Sequence, residues 1–186
     1  MWKNAFVLTL SDDGLPHSMR LRPFKRVGGV TGRAGPGETM AVCAIRQAEQ
    51  KLSARIRLLP APETFFHDRE RKCFFPIGSN DPYPPFLLER RKAPVLKRSS
   101  CEEADYDVAL YLAQVVDRQI IPGEDVDGLL LAPLARWDRL KGGPKLGQLL
   151  SGGFRVISRR RTRFSTRIWM PWEETLITAR FLMNGK

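Results

Sequence analysis

Thr39-Met40-Ala41-Val42-Cys43-Ala44-Ile45-Arg46-Gln47-Ala48-Glu49-Gln50-Lys51-Leu52-Ser53-Ala54-Arg55-Ile56-Arg57-Leu58-Leu59-Pro60 is the stretch whose reading decides the fold. Val42, Ile45, Ala48, Leu52, Ile56 and Leu59 recur at three-to-four spacing, the period that lines one face of a helix. Thr39 stands where an N-cap is expected and Pro60 where a helix must stop. The opposite face carries Arg46, Glu49, Lys51, Arg55 and Arg57. A second main helix is predicted from Ser100, whose capping-box partner is Glu103. Val108, Tyr111, Leu112, Val115 and Val116 supply its apolar face, and Pro122 lies beyond its end. A shorter helix is predicted from Pro133, presenting Leu134, Trp137 and Leu140 before Gly142-Gly143-Pro144.

Outward from these helices the chain reads as strand and loop. Residues 4–10 predict a strand ended by Ser11-Asp12-Asp13-Gly14, and Met19 to Val27 a second, interrupted at Pro23. Gly28 to Gly37 is a glycine-rich loop. Prolines are dense between Pro60 and Pro94, as in Pro82-Tyr83-Pro84-Pro85, which forbids a long helix or a central strand. That segment also holds Phe65, Phe66, Phe74, Phe75, Tyr83 and Phe86, so it reads as an extended arm that lays aromatics on a partner. Phe154 to Ile157, Phe164 to Met170 and Thr175 to Met183 are rich in β-formers and predict strands around a turn at Pro171.

The expected architecture is therefore α+β. It has a small core of two main helices and a few strands, a proline-rich extended arm and basic extensions. Its segments are residues 1–59, the arm 60–99 and residues 100–186, together one structural unit of a 186-residue chain. No apolar run reaches the roughly 18 residues of a membrane span. The apolar start at residues 5–10 is too short, and too soon followed by Asp12 and Asp13, for a secretory signal. Cys43, Cys73 and Cys101 are odd in number and far apart, so they outline neither a disulfide framework nor a zinc site.

Charge carries the functional signal. Lys and Arg total 31 against 20 Asp and Glu, for a net +11, and 22 of the 31 are Arg. Arg pairs bidentately with phosphate and stacks on bases. Residues 153–170 contain Arg155, Arg159, Arg160, Arg161, Arg163 and Arg167 and no acid. In an extended chain the odd-numbered ones share a face, with neighbours about 6.8 Å apart. A second cluster is Arg20, Arg22, Lys25, Arg26 and Arg33, and a third is Arg90, Arg91 and Lys92 with Lys97 and Arg98. Between the third cluster and residues 153–170, residues 101–128 hold eight acids and one Arg, so they are also a ready internal counterpart for the basic clusters.

Catalytic patterns are weak. Gly32-Arg33-Ala34-Gly35-Pro36-Gly37-Glu38-Thr39 has the spacing of a phosphate-binding loop, but Glu38 stands where that loop needs Lys. A helix cap is the better reading of Thr39, with Glu38 favoured at the helix's positive end. His17 and His67 are 50 residues apart, and Asp68 and Cys73 complete no triad around His67. The acids of residues 102–127 read as a solvated face. No catalytic residue, metal ligand or cofactor is assigned.

Two short resemblances fall on the same segment. Asp105-Tyr106, Ile120-Ile121-Pro122, Gly128, Leu134-Ala135-Arg136 and Leu149-Leu150 resemble the small-subunit ribosomal protein eighteen family. Gln119-Ile120-Ile121-Pro122-Gly123-Glu124 resembles the matrix-side small subunit of the cytochrome bc1 complex. They exclude each other, and no family is assigned.

The expected function is a non-enzymatic structural subunit of a large assembly. It is first a ribosomal protein, in the mitochondrial matrix with the cytoplasm as the alternative, whose Arg clusters neutralise rRNA phosphates. Phe74, Phe75, Tyr83, Phe86, Trp169 and Trp172 are the expected packing residues against neighbouring proteins. The alternative is an accessory subunit on the soluble face of a respiratory or ATP-synthase complex, using the same residues on protein and anionic lipid.

Overall fold

The computed structural model describes residues 5–11, 24–69, 71–97, 100–158 and 166–170. Among them the chain runs β1 (Ala5–Ser11), β2 (Phe24–Gly28), α1 (Met40–Leu52), β3 (Ile56–Leu59), β4 (Thr64–Asp68), β5 (Cys73–Ile77), β6 (Leu87–Lys97), β7 (Ser100–Leu110), β8 (Leu112–Val115), β9 (Gly128–Pro133), a 3₁₀ helix (Leu134–Leu140), α2 (Leu146–Ser151), β10 (Arg155–Ser158) and β11 (Arg167–Trp169). The chain divides into two compact units. The first comprises residues 1–33, 43–56 and 115–186, the second residues 34–42 and 57–114.

The first unit is built on a five-stranded sheet of order β10-β9-β1-β2-β11, antiparallel except for the parallel pair β2–β11. Its inner strand β9 reads Gly-Leu-Leu-Leu-Ala-Pro and is buried along almost its whole length. A strand covered on both faces shows a continuous apolar run instead of alternation, which is why this segment has no period. On one face Leu8, Val27, Leu130, Ala132 and Ile168 pack against Trp137, Leu140, Leu146, Leu149, Phe154 and Met170. On the other, Leu129 and Leu131 pack with Leu52, Ala54, Ile120 and Val126. The last turn of α1 is closed by the backbone of residues 121–123. The Ile121 N–H donates to Leu52 O and the Gly123 N–H to Lys51 O, both at 2.9 Å. A side chain at Gly123 would run into the carbonyl oxygen of Gln50, so only glycine permits this approach.

The second unit carries a four-stranded sheet of order β5-β4-β6-β7, with β4 and β6 parallel and the other pairs antiparallel. Its interior is partly ionic. Glu89, 1% exposed, accepts from His67 Nδ1 at 2.9 Å and from the Arg91 guanidinium, and Arg69 NH1 lies 3.5 Å away. His67 and Glu89 are direct partners in the β4–β6 register, so the ion cluster clamps the parallel pair. Beside it Leu87 is buried, and Phe86 meets Phe65 edge-on at 6.0 Å.

A core of two main helices is not what the chain builds. The structure is sheet-rich, with three sheets and three short helices among the described residues, and in the first unit the helices serve as covers for a sheet. The first predicted helix begins as expected, with Thr39 Oγ1 accepting from the Val42 N–H at 3.2 Å. It stops seven residues early, because Ser53 enters the left-handed region at φ 45° and Ile56-Arg57-Leu58-Leu59 leaves as a strand. The predicted helix over residues 100–121 is absent. Residues 100–110 are β7, paired with β6 in eleven consecutive register positions from Lys97↔Ser100 to Leu87↔Leu110. Asp105, Tyr106, Asp107 and Val108 are poor helix formers, and Asp107 stands opposite Arg90 and pairs with it, which favours the ladder.

The proline-rich stretch is not an arm but most of the second unit's sheet. Its prolines sit where a missing N–H costs nothing. Pro76 is on β5, the edge strand. Pro94 lies on β6 beyond Glu89, where the pairing with β4 has ended and β7 is the one remaining partner among the described residues. Strand β1 and the 3₁₀ helix fall where the sequence places them, with Trp137 and Leu140 both buried.

Two outcomes follow from these cores. Leu130→Ala removes a fully buried side chain at the sheet's centre and is expected to cost about 2–5 kcal/mol, read as a lower urea midpoint at unchanged slope. Glu89→Ala removes the carboxylate that buried His67 and half-buried Arg91 both hold and is expected to cost about 3–5 kcal/mol. Native-state hydrogen exchange should then show loss of protection at the β4 and β6 amides; unchanged protection there would refute the clamp.

Candidate nucleic-acid interface

The basic residues singled out from the sequence separate into those the fold consumes and those it displays. Lys25 Nζ donates to Asp127 Oδ2 at 2.9 Å, with both side chains largely covered. Arg90 closes a fork on Asp107, Nε to Oδ1 at 3.0 Å and NH2 to Oδ2 at 3.4 Å. Arg91 is turned inward onto Glu89. Lys92 and Arg33 are exposed, and Arg26 is half-buried on β2. Arg20, Arg22, Arg159, Arg160, Arg161 and Arg163 lie outside the described residues.

Two further cations of the first unit follow the same rule. Arg55 grips Asp117 with its backbone N–H at 2.7 Å and its guanidinium at 2.9 and 3.1 Å. Lys51 Nζ lies 3.0 Å from Asp125 Oδ2. Asp107, Asp117, Asp125 and Asp127 all belong to the acidic stretch 101–128, so within each unit this stretch neutralises nearby bases. The Arg55 N–H, then the Arg55 guanidinium, hold the Asp117 carboxyl below the usual aspartate range.

Arg155 and Arg167 are exposed, but they do not share one extended strand. They sit on β10 and β11, the opposite edges of the five-stranded sheet, four strand spacings or about 19 Å apart. Arg167 has a different neighbour. It forms a β-bridge with Lys145, flanked by the Leu146 N–H donating to Thr166 O at 2.8 Å and the Ile168 N–H donating to Pro144 O at 3.0 Å.

A second basic surface lies on the layer that covers the sheet, and the sequence reading passed over it. Arg136 and Arg139 are exposed on the 3₁₀ helix whose Trp137 and Leu140 are buried. The segment is kinked at Arg136 (φ −126°, ψ 20°), and both arginines stay exposed while Trp137 and Leu140 are buried. The Arg136 guanidinium donates to Gly152 O. The signal was available: residues 133–170 contain ten Lys and Arg, including Lys141 and Lys145, against the single acid Asp138.

The expected packing residues divide likewise. Phe74, Phe75 and Tyr83 are 38%, 44% and 46% exposed, with Phe75 tilted against Phe66 at 5.6 Å. Phe86, 4% exposed, is a core residue of the second unit. Trp169 lies on β11, and Trp172 is outside the described residues.

The glycine-rich loop offers no phosphate cradle. Glu38 Oε2 accepts from the Gly35 N–H at 2.8 Å, so the loop's own carboxylate takes an amide that a phosphate would need, and Gly32 packs against the Gln47 side chain. Among the described residues no three His, Cys, Asp or Glu side chains converge as for a metal ion, and no helix is long and apolar enough to cross a membrane. No protein-family model, curated protein or solved structure matches the chain.

The Arg55–Asp117 pair makes a pH prediction with a definite sign. A carboxyl depressed in the folded state stabilises the fold above its unfolded value of about 3.9, and that contribution disappears as pH falls through the lower folded value. Asp117→Asn is therefore expected to flatten the acid limb of a stability-against-pH curve relative to wild type. Parallel curves for the two proteins would show that the pair contributes nothing.

Proposed function

We propose that this chain is a non-enzymatic structural subunit of a large assembly, a ribosomal protein that holds rRNA through its phosphate backbone. One observation carries the reading: the positive charge is segregated. Four of the eight acids of residues 101–128 pair with Lys25, Lys51, Arg55 and Arg90 inside their own units, while residues 133–170 carry a surplus of nine positive charges. A surplus on one segment is what a polyanion recognises, and Arg is the side chain best shaped for phosphate. The binding mode is positioning by phosphate contact, not reading of base edges. The mitochondrial matrix is the location that goes with this proposal.

The exposed pair Phe74 and Phe75 with Tyr83 favours a second reading, an accessory subunit on the soluble face of a respiratory or ATP-synthase complex that packs aromatics against protein and bases against anionic lipid. The two readings separate in one experiment. The native assembly is purified, treated with RNase, and the chain followed through a gradient by mass spectrometry. Co-sedimentation with rRNA and release by nuclease or high salt is expected. Retention in a detergent-solubilised membrane complex that ignores RNase would replace the ribosomal reading with the accessory one.

A further inference from the structure

The turn Gly152-Gly153 after α2 has two arginines laid over it. Arg136 NH1 donates to Gly152 O and lies 2.9 Å from where a Cβ on Gly153 would stand; Arg139 NH1 lies 2.8 Å from the corresponding point on Gly152. Gly153 has φ +87°, a conformation that favours glycine, and the absent side chains make room for both guanidinium groups. Since the two α-carbons are about 3.8 Å apart and each Cβ position stands about 1.5 Å from its own, the Arg136 and Arg139 Nη1 atoms lie no more than about 13 Å apart. They flank one turn, within reach of neighbouring phosphates on one strand.

We infer that Arg136 and Arg139, seated on the Gly152-Gly153 turn, form a preorganised contact for the phosphodiester backbone of RNA. This inference rests on the RNA-binding reading above and adds residues that the Arg-rich tail does not include. Three features support it. The bond from Arg136 to Gly152 O uses one donor of a five-donor fork, which fixes the group and leaves the rest for a ligand. Fixing an Arg before binding lowers the side-chain entropy lost on contact. The chain then runs from Gly153 through exposed Arg155 to Arg159, Arg160, Arg161 and Arg163, so the turn begins the longest basic run in the sequence.

The test is the salt dependence of RNA binding by the full chain. Fluorescence anisotropy with a short labelled RNA duplex, from about 50 to 200 mM salt, gives the slope of log affinity against log salt. Arg139→Gln is expected to lower that slope by about 1 and the double change Arg136→Gln with Arg139→Gln by about 2, since each phosphate contact contributes roughly 0.7–0.9. Among the described residues Arg139 makes no hydrogen bond, so if the double variant does not fold, Arg139→Gln alone decides. An unchanged slope in the folded variants overturns the inference while leaving RNA binding to other residues. A wild-type chain that ignores RNA but binds polyglutamate or anionic phospholipid vesicles overturns both the inference and the ribosomal reading.

Discussion

The burial of β9 on both faces is the constraint on which the first unit depends. Leu129, Leu130 and Leu131 alternate between the two sides of the sheet, so each side needs its own cover. The 3₁₀ helix and α2 supply one, and the last turns of α1 with residues 115–126 supply the other. Burying a leucine stabilises by roughly 1.5–3 kcal/mol, so leaving either face bare would consume most of a domain's net stability. The basic surface is a consequence of the same arrangement. A 3₁₀ helix that points Trp137 and Leu140 at the sheet must point Arg136 and Arg139 elsewhere.

The second unit solves a related problem with charge. A parallel pair needs burial, and at the β4–β6 junction the buried partners are His67 and Glu89 where a leucine pair would be the usual solution. Arg91 and Arg69 supply the compensating positive charge. A buried ion cluster of this kind need not exceed a hydrophobic substitute in stability; what it adds is intolerance of mispairing, because any shift in register would strand a charge. The sheet's other long ladder, β6–β7, repeats the theme at the surface with Arg90 against Asp107.

This distribution of charge bears directly on function. A net of +11 suggests a protein basic everywhere, yet Lys25, Lys51, Arg55, Arg90 and Arg91 are each paired with an acid. Residues 133–170, with ten Lys and Arg against one acid, keep a net positive charge of nine. The aromatic residues sort in the same way: Phe86 is core, whereas Phe74 and Phe75 stand on an edge strand.

Sequence alone determined the features that depend on neighbours a few residues away. Strand β1, the start of α1 at the Thr39 cap, the inward face of the 3₁₀ helix, the strand at Arg155–Ser158 and the charge imbalance are all local. Tertiary structure decided between readings that were locally close. At residues 53–59 and 100–115 helical spacing was present, but propensities differ by only tenths of a kcal/mol per residue, while a partner strand offers a hydrogen-bonded ladder along its full length. The same non-local pairing turned a proline-rich arm into a sheet, because only the register shows that Pro76 and Pro94 face edges. Arg136 and Arg139 meet at a turn thirteen to seventeen residues later in the chain, a juxtaposition that no spacing rule contains.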